Sequence, residues 1–190
     1  MLRLAFTLSA VLCLLCCSCS RTPAPKLYVP PQGITWRAYE DDIFRLQLPE
    51  GWTAEKHATA DPELHQVEIH GPHGAFARVS YTHDSKNSTL PKDVVWAMRK
   101  ADSALAAEPW EGALAGEDSD GYRYLFRIDD VPWEGWILAR SEHGSQVSFL
   151  AQAPRDAAEA RGILAAAMEG LQLKVPEMKT EAPRGENAAK

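Results

Sequence analysis

All four cysteines of this chain fall within its first nineteen residues, at Cys13, Cys16, Cys17 and Cys19. Whatever folds after Cys19 therefore has no disulfide to staple it, no cysteine-ligated metal to organise it and no thiol nucleophile. It must be held by an apolar core. A chain of 190 residues, 45% hydrophobic and 8% aromatic, is sufficient for one such core. Its net charge of −6 argues against attraction to nucleic-acid phosphates as the main binding force, so no nucleic-acid partner is expected.

The cysteine cluster sits at the end of a recognisable leader. Arg3 precedes an apolar run from Leu4 to Leu15, shorter than the about 20 residues a membrane-spanning helix needs. A positive start, a short apolar stretch and a small-residue ending describe a secretory signal. Cys13 and Cys16 form a C-x-x-C pair, but inside the inserting run that spacing carries no redox or zinc reading.

The ending itself, Cys16-Cys17-Ser18-Cys19, resembles the lipobox of bacterial lipoprotein precursors. That resemblance implies residues 1–18 as a signal peptide and Cys19 as the lipid-modified mature N-terminus, with Cys17 as the alternative. Cys16 stands where the family prefers Leu. A lipoprotein-type cysteine carries two or three acyl chains, and two chains give stable anchoring. Arg21, rather than an inner-membrane retention Asp, lies two residues after Cys19. The resemblance thus implies a lipid-anchored protein of the outer membrane, facing the periplasm. Residues 19–32 form the lipidated cysteine and its tether. Prolines at 23, 25, 30 and 31 keep residues 21–32 extended, with a reach of roughly 37 Å.

Residues 33–173 read as one α+β domain, and residues 174–190 as a polar, proline-containing disordered tail. Ile34, Trp36 and Ala38 alternate, and after the turn Glu40-Asp41-Asp42 so do Phe44, Leu46 and Leu48. This is the pattern of a half-buried hairpin. A second strand pair, 67–70 and 75–81, flanks the turn Gly71-Pro72-His73-Gly74. Ser88 or Thr89 is placed to cap a helix with Pro91 in its first turn. Val94, Met98, Ala101 and Leu105 line one face of it, and Pro109 closes it. Three or four strands follow, among them 122–128, 133–140 and 146–153, joined by short polar turns that imply antiparallel pairing. A last helix over 155–169 turns Ala157, Ala160, Leu164, Ala167 and Leu171 inward and ends at Gly170.

Phe44-x-Leu46-x-Leu48-Pro49-x-Gly51-Trp52, followed by this order of elements, is similar to the PsbP/Mog-like superfamily. That group holds the photosystem II extrinsic protein PsbP, a Mog-type nuclear import factor and DcrB-type bacterial envelope lipoproteins. The resemblance spans about residues 34–171. It implies an α/β/α sandwich with a mainly antiparallel sheet and two main helices, and an accessory or binding role.

Reactive constellations are few. His65-x-x-Glu68-x-His70-x-x-His73 offers borderline metal ligands in Glu68, His70 and His73, but in no established spacing. Val67 and Ile69 point the other way, which makes Glu68 and His70 the wet side of a strand. Asp118-Ser119-Asp120-Gly121 would put Gly116 and Arg127 at the terminal ligand positions of an EF-hand loop. That excludes the calcium reading and leaves a turn before a strand. G-x-S-x-G, P-loop and G-x-G-x-x-G motifs are missing. Asp41-Asp42 and Asp129-Asp130 are neighbours that face apart and suit turns better than acid/base work. Trp96 lies about 200° round the helix from Val94 and so points away from the inner face. It is the candidate anchor for a partner.

The reading is a non-enzymatic, membrane-anchored accessory or binding domain for an envelope protein or component, with no cofactor. The alternative is a small-ligand or divalent-metal module built on Glu68, His70 and His73. A hydrolase assembled from residues such as His83 and Asp84 ranks third.

Overall fold

Hydrophobic alternation builds most of the molecule. A computed structural model describes residues 31–83, 90–142 and 144–174. Ten strands occur among them: β1 (Trp36–Glu40), β2 (Phe44–Pro49), β3 (Thr53–His57), β4 (Leu64–His70), β5 (Phe76–Thr82), β6 (Ala106–Leu114), β7 (Glu117–Ile128), β8 (Val131–Glu142), β9 (Ser145–Pro154) and β10 (Gln172–Leu173). Helix α1 (Pro91–Ala101) lies between β5 and β6, and helix α2 (Ala158–Glu169) between β9 and β10.

The strands form two sheets. Seven pair antiparallel in the order β3-β4-β5-β9-β8-β7-β6, and β1-β2-β10 make a separate three-stranded sheet. In the large sheet, residues facing each other across a pair share a face. Val67, Val79, Phe149 and Leu138 therefore line up on one side. The small sheet and α2 cover that side, burying Phe44, Leu46, Leu164 and Met168 against it. On the other side α1 packs Val95 over Tyr124 and Ile137, with Leu105 closing the cluster. The result is an α+β sandwich with a mainly antiparallel sheet and two helices.

Several expected boundaries move, each for a local reason. Helix α1 stops at Ala101 rather than Pro109. Asp102 takes extended backbone and its Oδ1 accepts the Ala104 N–H at 2.9 Å, which turns the chain. Leu105 reaches the same cluster from beyond that turn, so helical spacing alone overran the helix. Pro109 lies instead within β6, an edge strand where a missing amide is tolerated. Asp118-Ser119-Asp120-Gly121 lies inside β7, and the turn is Ala115-Gly116, with φ of 54° and 77°. Gly121 serves close approach: a Cβ there would stand 1.8 Å from the Ile137 carbonyl oxygen. On β1, Ala38 is exposed, and Trp36 and Tyr39 are the side chains packed on the core. Ser88 and Thr89 fall outside the described residues; Leu90 occupies the cap position without a side-chain bond, and Pro91 takes the first turn as expected.

One ion network runs through the apolar side. Glu134 of β8 is 0% exposed. It accepts from Arg123 Nε on β7 and from Arg161 Nη1 on α2 at 2.6 Å. Arg123 Nη1 also reaches Glu108 on β6 at 3.0 Å. A buried carboxylate is tolerable only when paired in this way. The network ties α2 to the sheet at a fixed position.

Glu134→Ala should therefore destabilise the domain by about 3–5 kcal/mol in urea unfolding, because it removes the buried carboxylate that Arg123 and Arg161 share. Arg37→Ala, which removes the exposed Arg37–Glu50 pair at 3.2 Å, should cost less than about 1 kcal/mol. Equal losses would contradict this ranking.

Candidate functional site

Three polar or aromatic clusters stand out from the fold, and they differ in kind. The first joins the two sheets. Asp41 sits in the β1–β2 turn, where its Oδ1 accepts the Ile43 and Phe44 amides at 2.8 and 2.7 Å. This local bonding is what an aspartate in a turn does. Its Oδ2 accepts from His65 Nε2 of β4 at 2.9 Å and from the Tyr39 hydroxyl at 3.2 Å. The His65 ring also packs 5.3 Å from Phe44. Lys174 closes the cluster, donating from Nζ to Glu40 Oε1 at 2.9 Å and to the Asp41 carbonyl at 2.7 Å.

Burial pushes the Asp41 carboxyl up, but the Phe44 amide, the His65 ring and the Ile43 amide outweigh it and hold the group below its usual 3.8. Burial, and then the Asp41 charge, push the Tyr39 hydroxyl up to about 12. No serine, threonine or cysteine bonds to this histidine among the described interactions. The arrangement is a clasp between layers.

The second cluster contains two of the expected metal ligands. Glu68 and His70 lie on the open face of β4, while Val67 and Ile69 are fully buried behind them. Arg78 of β5, directly across from Glu68, donates to Glu68 Oε1 through Nη2 at 2.6 Å and Nε at 3.2 Å. His57 Nδ1 and His70 Nε2 stand 3.7 Å from the two carboxylate oxygens. The Arg78 hydrogen bond holds the Glu68 carboxyl low against the opposing effect of burial. A carboxylate gripped by a guanidinium is a poor start for a cation site. His73 is exposed, in the Pro72–Gly74 turn, at a φ of 58°. Among the described residues no group of three or more His, Cys, Asp or Glu is placed to hold a metal ion.

The third cluster is the outer face of α1. Trp96 is 60% exposed, and the Lys100 ammonium lies 3.7 Å from its ring centroid. That is a close cation–π contact. Lys92, one turn earlier, continues the stripe. The outward direction of Trp96 follows from its angle to Val94 and Met98, which pack inward.

The remaining expected positions are scattered. His83 is exposed at the end of β5, its ring 5.0 Å from Tyr81, while Asp84 lies outside the described residues. Cys17 and Cys19 also lie outside them. Asp129 and Asp130 form the β7–β8 turn, both with positive φ. The pairing of Asp41 with His65 was missed from sequence. Its one legible sign is parity: His65 shares its face of β4 with buried Val67 and Ile69.

No family model and no curated protein matches the sequence. Among solved structures the chain is similar to cyanobacterial PsbP (CyanoP) from Synechocystis sp. PCC 6803. The identity is 14% and the TM-score 0.52, over 79% of this chain and 99% of that one. A Bacteroides thetaiotaomicron structure aligns at 13% identity and a TM-score of 0.40, over 69% of this chain and 45% of that one.

The Asp41 carboxyl titrates lower in the folded protein than in the unfolded chain. Its stabilising contribution is therefore complete above the unfolded value and is lost as pH falls through the folded one. Asp41→Asn should flatten the fall in melting temperature between about pH 5 and pH 3. Parallel curves for the two proteins would show that the clasp does not titrate as described. Taken together, the sheet order, the two helices and the alignment along nearly all of the cyanobacterial protein give this chain the PsbP-like fold.

Proposed function

We propose that this chain is a membrane-anchored periplasmic lipoprotein whose folded body is a non-enzymatic accessory domain that binds an envelope component. Three features support the reading: the lipobox-like ending at Cys19, the PsbP-like fold, and the nature of the polar clusters. The Asp41–His65 pair and the Glu68–Arg78 pair are both satisfied internally. Neither presents a group poised for proton transfer or nucleophilic attack.

The observation that carries the binding role is Trp96. A large aromatic side chain 60% exposed on a helix is an anchor in search of a surface. The other tryptophans on or beside the strands are at least half covered, and Trp136 is fully buried.

Two experiments bear on the two halves of the proposal. Metabolic labelling with a clickable fatty acid should mark the wild-type chain and not Cys19→Ala. Continued labelling of Cys19→Ala, with loss in Cys17→Ala, moves the anchor by two residues, and no labelling of the wild type removes it. A photo-crosslinking amino acid replacing Trp96 in living cells should give one discrete adduct. The same probe replacing exposed Gln47 on β2 should give none. Indistinguishable patterns at the two positions would contradict a binding surface on α1.

A further inference from the structure

The exposed apolar side chains of the described body are one-sided. Leu90, Trp96, Ile128 and Val131 are the large ones, at 41%, 60%, 40% and 43% exposure. Leu90 opens α1 and Trp96 stands on its outer face. Ile128 and Val131 pair across the β7–β8 turn, on the face that carries Phe126 and Tyr124 beneath α1. None of the four lies on the side covered by the small sheet and α2.

Charge on α1 itself is basic. Lys92 and Lys100 flank Trp96 one turn before and one turn after, so all three project together. Asp93 is the one acid of the helix, against Lys92, Arg99 and Lys100. This is a locally basic helix on a chain whose net charge is −6. Arg99 is drawn down to the Ala107 carbonyl at 2.8 Å, so Lys92 and Lys100 are the outward cations, with Asp93 beside them. Asp129 and Asp130 close the neighbouring turn, where Arg127 lies 3.9 Å from the Asp130 carboxylate.

We infer that the α1 side of the domain docks on the headgroup layer of the bilayer, with Lys92 and Lys100 against anionic lipid phosphates and Trp96 at the interface. The inference deepens the proposed function and rests on its placement of the chain at a membrane. Tryptophan is the side chain best suited to that depth, with an apolar ring and a polar N–H. Each lysine close to an anionic surface strengthens binding about fivefold.

The test uses the chain isolated from cells with its native N-terminus, mixed with phosphatidylcholine vesicles or with vesicles containing phosphatidylglycerol. Flotation reports attachment, and amide hydrogen exchange across 91–101 reports docking. With phosphatidylglycerol, α1 exchange should slow about tenfold relative to phosphatidylcholine, while exchange of α2 stays the same. Trp96→Ala and the double variant Lys92→Gln/Lys100→Gln should each abolish the difference, and all three positions are exposed enough to leave the fold intact. Equal α1 exchange on the two lipids overturns the inference, as does an adduct from position 96 made only with a protein. Flotation on both lipids without α1 protection keeps the anchor and overturns docking. Flotation and protection on phosphatidylglycerol alone keep docking and overturn the anchor.

Discussion

Glu134 is a carboxyl group with no solvent exposure, and three elements meet in the ion network around it. Arg123 comes from β7, Arg161 from α2, and Glu108 of β6 takes the second arm of Arg123. A helix packed on a sheet by apolar contacts alone can slide by a fraction of a turn at small cost. Two guanidinium groups meeting one carboxylate fix its position, because each displacement leaves a buried charge short of a partner. Trp136, on the same face of β8 and fully buried, then packs against Trp110 with ring centroids 6.3 Å apart. The ionic and aromatic contacts together hold the β6 edge of the sheet.

The two faces of that sheet are finished differently. One is covered by α2 and by the small sheet, which the Asp41–His65 clasp pins to β4 and Lys174 pins to the chain after β10. Among the described residues, the other carries one helix of eleven residues over a small cluster centred on Val95, Tyr124 and Ile137. Tyr124 is anchored there by a bond from its hydroxyl to the Ala151 carbonyl and by Gly135, whose missing Cβ leaves room for the ring. A helix so placed has half its circumference turned outward. That half bears Trp96, Lys92 and Lys100, with Asp93 beside them.

Much of this was legible in the sequence because period-2 alternation reports burial directly. Phe44, Leu46 and Leu48 were read inward and are buried, as are Val67 and Ile69. The α+β class, the antiparallel pairing and the two helices followed from that pattern and the turn residues between; the PsbP-like likeness rested on the resemblance of the Phe44–Trp52 motif and the order of elements. Strands β3 and β10 were missed because neither buries an alternating face: Thr53–His57 is nearly all exposed, and Gln172–Leu173 is two residues long. The split into two sheets was missed because a hairpin reads the same whichever sheet it joins. Asp41–His65 and Glu134–Arg161 escaped for a related reason. They join residues far apart in sequence, and no local spacing records such a pair. Trp96 was found because its position depends only on helix geometry and the inward residues beside it.

In the proposed docking the α1 side of this domain faces a bilayer and the small-sheet side faces away. With no cysteine after Cys19, a nitroxide can be placed at one chosen position of the body. Ala97→Cys puts it on the outer face of α1 beside Trp96, and Gln47→Cys puts it on β2; both sites are exposed. Power-saturation measurements on the membrane-bound chain compare collision with oxygen, which concentrates in lipid, and with a water-soluble nickel chelate. A label at 97 should be shielded from the chelate at headgroup depth, and a label at 47 fully open to it. Equal accessibility at the two positions, or shielding at 47 alone, would contradict that docking.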